Sequence, residues 1–167
     1  DKARENAENG GYNNVEFRLG EIENLPVADK SVDKIISNCV INLSVDKKRV
    51  FEEAYRVLKP GGQLIVSDIV LCKELPEFVR KSARAYAGCI AGALLKDQYL
   101  KIVRDVGFTG VKVVKETVFP SEGLQNEDQI QVIDRNSKKK KISTEKLREI
   151  SRSISSVTVY GVKPAKK

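Results

Sequence analysis

Cysteine thiols are the side chains of this sequence best suited to chemistry. One of the three cysteines follows directly after a predicted strand. Cys39 lies in the run Ser37–Ser44, directly after a stretch with the pattern of a buried strand. In an open α/β sheet, ligands bind outside the carboxyl ends of the strands. A thiolate at that edge is a ligand for soft ions. A cysteine is also commonly a small buried apolar side chain, so position alone leaves both interpretations of Cys39 open.

The other two cysteines occupy different settings. Cys89 lies among small residues in Ala87–Ala93, which allow the backbone to approach a ligand closely or, equally, to pack tightly in a helix. Cys72 follows an apolar run, and we expect it to be a bystander. The sequence has no histidine and no CxxC pair. It therefore lacks the ligand pattern of a structural zinc site, and the odd number of cysteines argues against a disulfide framework.

Strands and helices alternate along the chain and predict the scaffold for these thiols. Period-two or continuous apolar runs predict strands at Asn14–Leu19, Val32–Ser37, Leu64–Val70, Val111–Phe119 and Ser156–Val162. Apolar residues at helical spacing predict a helix capped by Asp46, a second from Leu75 to Tyr86, and a third from Asp97 to Val106. This order is typical of an α/β fold with a parallel sheet, and the last two strands are expected to form an antiparallel pair at one edge.

Composition limits the partners of the chain. The 167 residues carry a net charge of +7, but much of the excess lies in Lys138–Lys141 and the terminal lysines. No aromatic residues alternate with these lysines as a base-stacking platform requires, so we expect no nucleic-acid partner. No stretch is long and apolar enough to span a membrane, and no secretory signal is visible. We expect a reduced, cytoplasmic protein.

Three sequence motifs show a resemblance to a known family. SNCVINLS at 37–44, RVLKPGG at 56–62 and AGCIAGAL at 87–94 resemble the arsenite methyltransferases, a group of the class I S-adenosylmethionine-dependent methyltransferases. RVLKPGG is widespread among methyltransferases and supports fold and cofactor alone. The pairing of SNCVINLS with AGCIAGAL is more specific, because it places Cys39 and Cys89 where the arsenite enzymes keep arsenic-binding thiols.

The resemblance implies roles for particular residues. Cys39 and Cys89 are the expected catalytic thiolates that hold arsenic(III), a soft centre, with its lone pair directed at the methyl group of S-adenosylmethionine. Glu21 and Glu23 are expected to accept from the adenine amine, and Ile22 to pack on the ring. Asn38 is expected near the methionine end of the cofactor. A surface loop with two solvated glutamates is the plain alternative for residues 20–23.

The resemblance also suggests that the sequence is a fragment: a partial Rossmann-like class I methyltransferase sheet with its first two strands and main cofactor loop missing. We divide it into a methyltransferase portion at 1–119, a basic insertion at 120–154, and a final strand and tail at 155–167. We expect weak cofactor binding, an inactive fragment when it is alone, and either self-association through an exposed sheet edge or a shift of the first strand to fill the gap.

The predicted function is methyl transfer from S-adenosylmethionine to thiolate-bound arsenite, with a thiol reductant as a further partner. Two alternatives stay open on the sequence. One is a methyltransferase acting on carbon, nitrogen or oxygen of another small molecule, in which the two cysteines are incidental. The other is a non-catalytic metalloid-binding fragment.

Overall fold

The computed structural model describes residues 1–75, 90, 92–118, 132–133, 139–140 and 144–165. Within these parts the backbone forms an α/β arrangement of helices and strands. In chain order they are α1 (Lys2–Asn9), β1 (Val32–Asn38), a 3₁₀ helix (Ile41–Leu43), α2 (Lys47–Val57), β2 (Leu58–Leu71), α3 (Lys96–Asp105), β3 (Thr109–Val118), β4 (Val132–Ile133), β5 (Lys139–Lys140), α4 (Thr144–Arg152) and β6 (Ile154–Val162).

One mixed sheet of order β1-β2-β6-β3 forms the centre of the described structure. The strands β1 and β2 run parallel, with Ile35 opposite Leu64 and Ser37 opposite Val66. The last strand, β6, runs antiparallel to both β2 and β3. The predicted α/β class is confirmed. The antiparallel pair at one edge is confirmed as well. Strand β6 lies between β2 and β3, and β3 is the edge strand.

The helix after Asp46 forms for the reasons that the sequence suggests. The Asp46 side chain accepts from the backbone N–H of Arg49 at 3.0 Å, which caps the first turn. The apolar stripe of α2, including Val50 and Phe51, is buried against the sheet. Helix α3 packs beside it, where Phe51 meets Tyr99 edge to face with ring centroids 5.5 Å apart. The two helices therefore cover the sheet face below the ends of β1 and β2.

The predicted first strand is wrong. Residues Asn14–Leu19 form no strand in the structure, and the Leu19 side chain is 97% exposed. Arg18 holds the segment by donating to the Pro26 carbonyl, and Arg4 donates to the Phe17 carbonyl. The alternating pattern fits a strand, but a strand needs a hydrogen-bonded neighbour, and the described sheet places none beside these residues. The expected shift of this segment to pair with β1 does not occur either.

Most of the remaining predicted elements agree with the structure to within two residues where it describes them, but β2 begins at Leu58, six residues before the predicted Leu64. The third helix begins one residue early, at Lys96, and β6 begins at Ile154 instead of Ser156. The predicted helix from Leu75 to Tyr86 lies outside the described residues beyond its first position, and so does much of the 120–154 insertion. Within the described parts, every helix is too short or too polar to cross a membrane.

Candidate active site at the carboxyl ends of β1 and β2

Cys39 is the first residue after β1, as predicted. Its backbone N–H donates to the Ser67 carbonyl at 2.8 Å, which continues the parallel pairing one step beyond Asn38. Its φ is 54°, in the left-handed region that residues other than glycine rarely adopt, and its side chain is exposed. The interpretation of Cys39 as a buried apolar side chain is therefore wrong. Backbone strain of this kind clusters at functional sites.

The turn that follows Cys39 is fastened to β2 and to α2. The Asn42 amide Nδ2 donates to the Ile69 carbonyl at 2.6 Å. From the first turn of α2, Lys47 Nζ donates to the Asn42 and Ser44 carbonyls at 3.3 and 2.9 Å. Asn42, Ser44 and Lys47 are all buried. The Cys39 turn, by which we mean residues 39–46, is thus held from below by side chains as well as by backbone pairing.

A buried carboxylate lies beneath this turn. Asp68, in β2, has no exposed surface, and its Oδ2 accepts from the Tyr99 hydroxyl at 2.9 Å. Burial raises the pKa of Asp68 to about 6, against the Tyr99 hydrogen bond, the charge of Lys47 and the Asn42 backbone N–H, which all lower it. Burial lowers the pKa of Lys47, an effect that the negative charge of Asp68 opposes. The same environment raises the pKa of Tyr99.

The loop that contains the predicted adenine contacts lies against the Cys39 turn. Ser44 Oγ donates to Glu23 Oε1 in a short hydrogen bond. Arg49 Nε, from α2, donates to the Glu23 carbonyl at 3.1 Å. The sequence proposed Glu23 and Cys39 as members of one site while 16 positions apart, and these bonds bring their two loops together.

A second set of bonds holds the rest of that loop to α2. Glu53, whose side chain is 1% exposed, accepts from the Leu25 backbone N–H at 2.9 Å and from Arg56 at 2.7 Å. Arg56 also donates to the Leu25 and Val27 carbonyls. The hydrogen bonds from Arg56 lower the pKa of Glu53. A buried anion with this many donors fixes the loop rigidly, because breaking any one bond leaves part of the charge unsatisfied.

The predicted cofactor residues differ in how they are placed. Glu21 is exposed, and Asn38 is exposed at the end of β1. Ile22 is half-buried and packs against the main core, while the Glu23 carboxylate is engaged by Ser44. Glu21 and Asn38 are therefore both accessible polar groups, and their cofactor roles remain predictions. The surface-loop alternative describes Glu21 better than it describes Glu23.

The segment after Cys89 packs on the same turn. A Cβ added to Gly92 would lie 2.0 Å from the Asn42 carbonyl oxygen, so the two backbones touch at a point three residues beyond each cysteine. Leu71, at the end of β2, donates from its N–H to the Leu94 carbonyl at 2.8 Å. Cys89 itself lies outside the described residues. The described residues Gly92 and Leu94, which follow it, lie at the edge of the sheet where Cys39 does.

Cys72 sits just beyond β2 and is exposed. Its backbone N–H donates to the Ser153 carbonyl at 2.8 Å, and its Sγ lies 3.4 Å from Ser155 Oγ. These contacts are with β6 and the residue before it, on the opposite side of β2 from β1. The bystander role predicted for Cys72 remains a prediction.

Sequence reasoning assigned no role to the polar residues beneath the turn: Asn42, Lys47, Asp68 and Tyr99. One signal was available, since Asp68 is the one charged residue in the nearly continuous apolar run at 64–70, and a charge is rarely buried without a partner. The partner itself was not visible, because Tyr99 lies 31 positions away on another helix.

Comparisons with known proteins show the family to which the chain is related. A family model described as a methyltransferase domain matches residues 1–107. An arsenite methyltransferase of Halobacterium salinarum is 47% identical over 112 residues, covering 67% of this chain and 29% of that protein. The human arsenite methyltransferase is 39% identical over 123 residues, covering 72% of this chain and 32% of its own length.

The structure of this chain is also similar to a solved structure of an arsenic methyltransferase. The crystal structure of an arsenic(III) S-adenosylmethionine methyltransferase from Chlamydomonas reinhardtii superposes with a TM-score of 0.59 at 34% identity, covering 87% of this chain and 42% of that one. The chain spans about a third of the length of the curated relatives it matches.

The contact between the two cysteine segments gives a stability prediction. Gly92→Ala places a methyl group 2.0 Å from the Asn42 carbonyl, so the segments must separate, and we expect a loss of about 1–3 kcal/mol in the free energy of unfolding. Gly161→Ala is the matched control, because its methyl group would lie 3.4 Å from Phe108, an ordinary contact. Urea unfolding measures both. Equal stability of the two variants would contradict the close approach.

The buried carboxylate gives a pH prediction. The pKa of Asp68 is raised from 3.8 to about 6 in the folded state, so between these values the folded protein binds more protons than the unfolded one. Its contribution is present below pH 4 and is lost as the pH rises through 6. Relative to Asp68→Asn, wild-type stability should fall by about 2 kcal/mol between pH 4 and pH 7. Urea unfolding at several pH values tests this, and a difference independent of pH would refute the raised pKa.

Proposed function

The chain belongs to the methyltransferase domain family, among the relatives of the arsenite S-adenosylmethionine methyltransferases, and from that membership we propose that it serves methyl transfer from S-adenosylmethionine to thiolate-bound arsenite. The thiolates of Cys39 and Cys89 are the arsenic ligands in this proposal. Glu21, Glu23 and Asn38 are the polar cofactor contacts, with Ile22 as an apolar one.

One observation carries the proposal: two cysteine-bearing segments meet at the ligand-binding edge of the sheet. Cys39 is exposed at the end of β1, and Gly92, three residues after Cys89, touches the Asn42 backbone. Thiolates are the preferred ligands of soft centres such as arsenic(III). Two of them on separate segments bind such a centre as a chelate, since the second bond forms at high effective concentration.

The residues of this chain act chiefly by holding and orienting the substrate. Each thiol exchanges with a hydroxide of arsenite, its proton leaving with that hydroxide as water while the As–S bond forms, and the fixed turn directs the remaining lone pair in one direction. S-adenosylmethionine, when bound, supplies a methyl group that its sulfonium makes electrophilic. The loop held by Glu53 and the Cys39 turn are fixed to each other through the Glu23–Ser44 bond, so both present their groups in set positions. Orientation of this kind accounts for a large part of the rate of such transfers.

The accompanying partners follow from the same chemistry. A thiol reductant keeps the cysteines able to bind arsenic between cycles, and a cytoplasmic setting supplies one. Nucleic acid and membrane are not among the proposed partners. A second copy of the chain is a proposed partner, because β1 lies at an edge of the described sheet and Ile36 in this strand is 77% exposed. Exposed edge strands pair with strands of other chains.

Cysteine variants test the proposal directly. We expect Cys39→Ser and Cys89→Ser each to weaken binding of arsenite by at least about tenfold, because each removes one of two ligands. Cys72→Ser is the matched control and should bind as the wild type does. Isothermal titration of the full chain with arsenite measures all four affinities.

Unchanged arsenite binding in both Cys39→Ser and Cys89→Ser would reject the arsenic assignment. A methyltransferase acting on another small molecule would then be the better account of the fold. Arsenite binding that depends on Cys72 would reject the assignment of the ligands while keeping that of the substrate.

The exposed edge predicts self-association. We expect the chain to sediment as a dimer at tens of micromolar, and Ile36→Lys to shift it to a monomer, because a charge at an edge strand opposes pairing with a second copy. Lys34→Arg, on the same strand but with its charge kept, should leave the dimer intact. A wild-type monomer at that concentration would exclude pairing through β1.

A further inference from the structure

The loop with the proposed adenine contacts pairs with no strand of the described sheet. Within it, the Asn24 N–H donates to the Glu21 carbonyl at 3.0 Å and closes a tight turn, which we call the 21–24 turn. Main-chain groups that no strand pairs need other partners where they are shielded from water, because a buried donor or acceptor without one costs free energy. Side chains of α2 supply these partners.

Three charged residues of α2 bind the main chain around this turn. They are Arg49, Glu53 and Arg56, whose spacing of four and then three positions places them on one face of the helix. Arg49 Nε donates to the Glu23 carbonyl at 3.1 Å, and Glu53 Oε2 accepts from the Leu25 N–H at 2.9 Å. Arg49 and Arg56 both donate to the Glu53 carboxylate as well, so the three side chains form one connected set.

Arg56 uses all three of its side-chain nitrogens in this arrangement. Its Nε and Nη2 form a two-bond fork with Glu53, at 2.9 and 2.7 Å. Its Nη2 also donates to the Leu25 carbonyl at 3.0 Å, and its Nη1 to the Val27 carbonyl at 2.9 Å. The Asp29 carboxylate accepts from Nη1 at 2.5 Å. A planar guanidinium can make such a set of bonds at once, which a lysine ammonium cannot.

Stability alone explains this arrangement poorly. Removing the Glu53 carboxylate from water costs free energy, and apolar residues in place of a buried group of Arg–Glu–Arg type often stabilise a fold equally well or better. An apolar side chain at position 53 would, however, leave the Leu25 N–H without its acceptor. The arrangement is therefore better suited to fixing the course of the loop than to stabilising the fold.

The groups that the fixed turn leaves accessible are those that the proposed function uses. Glu21 is exposed and Ile22 is half-buried, while the carbonyl of Glu23 is bonded to Arg49. A ligand that meets a turn already held in one conformation binds more tightly than one that must order the turn first, because less conformational freedom is lost on binding.

We propose that Arg49, Glu53 and Arg56 are positioning residues for the adenosine part of the cofactor. They hold the 21–24 turn in the conformation that binds it, and they touch neither cofactor nor substrate. This inference rests on the proposed function, since it takes the 21–24 turn as the adenine contact. It assigns a role in cofactor affinity to side chains that lie beneath the loop.

The inference separates cofactor binding from arsenic binding. The Cys39 turn has attachments of its own, from Asn42 to β2 and from Lys47 to the turn carbonyls. Loss of an arginine from the set on α2 therefore weakens binding of the cofactor and leaves arsenite affinity nearly unchanged. General loosening of the fold, by contrast, weakens both.

The experiment titrates the full chain calorimetrically with S-adenosylhomocysteine, which carries the adenosine part without the reactive methyl group, and separately with arsenite. We expect Arg56→Lys to weaken binding of S-adenosylhomocysteine by about fivefold, because a lysine cannot bond both loop carbonyls while it pairs with Glu53. Arg49→Gln, which removes the bond to the Glu23 carbonyl, should weaken it by about threefold. Arsenite affinity should change by less than about twofold in both variants.

Lys48→Gln is the matched control, because Lys48 is a cation of the same helix that pairs with Glu52 of that helix, and both affinities should equal those of the wild type. Unchanged affinity for S-adenosylhomocysteine in Arg56→Lys and Arg49→Gln would overturn the positioning role and leave the proposed function standing. Equal losses of both affinities would also overturn it, in favour of a purely structural role.

The wild type separates the positioning role from the proposed function. If it binds no S-adenosylhomocysteine at millimolar concentrations, the positioning role fails together with the cofactor contacts on which it rests. If it binds S-adenosylhomocysteine but no arsenite, the proposed substrate is wrong. Weaker binding of S-adenosylhomocysteine in the two arginine variants, with Lys48→Gln unchanged, would then still support the positioning role.

Discussion

The parallel pairing of β1 with β2 is the constraint on which the site depends, and one hydrogen bond marks where it ends. The Cys39 N–H donates a hydrogen bond to the Ser67 carbonyl at 2.8 Å, so the backbone of Cys39 still pairs with β2. Its φ of 54° is nevertheless outside the strand region. The chain must leave the sheet there, and it leaves with the thiol exposed. Everything beyond that point, including the Asn42 contact and the start of α2, follows from where this turn begins.

Two independent sets of contacts hold further segments of the chain against that turn. One is polar: Glu53 and Arg56 hold the loop at 20–27 on α2, and Glu23 reaches Ser44. The other is steric, because Gly92 fits against the Asn42 carbonyl without a side chain. The three segments that the sequence singled out for cofactor and arsenic chemistry thus converge through contacts unrelated to one another, which argues against a coincidence of packing.

Local patterns in the sequence predicted the elements that position Cys39, and they failed where the outcome depends on neighbours. The Asp46 cap and the apolar stripe of α2 are local signals, and the structure follows them. The alternation in Asn14–Leu19 is equally clear but yields no strand, since pairing is not encoded in one segment. The surroundings of Asp68 were likewise not visible in the sequence, because the Tyr99 hydroxyl and the Lys47 charge come from two helices that only the fold brings together.

The measurement that tests the central claim most directly is X-ray absorption at the arsenic edge of the arsenite-loaded chain, which counts sulfur atoms bound to arsenic. If Cys39 and Cys89 share one site, the protein with Cys72→Ser should show two sulfur ligands, and the further change Cys39→Ser should reduce the count to one, since soft arsenic prefers thiolates wherever two are within reach. Arsenic bound by oxygen alone, or an identical sulfur count in both proteins, would contradict the convergence of the two segments on a common site.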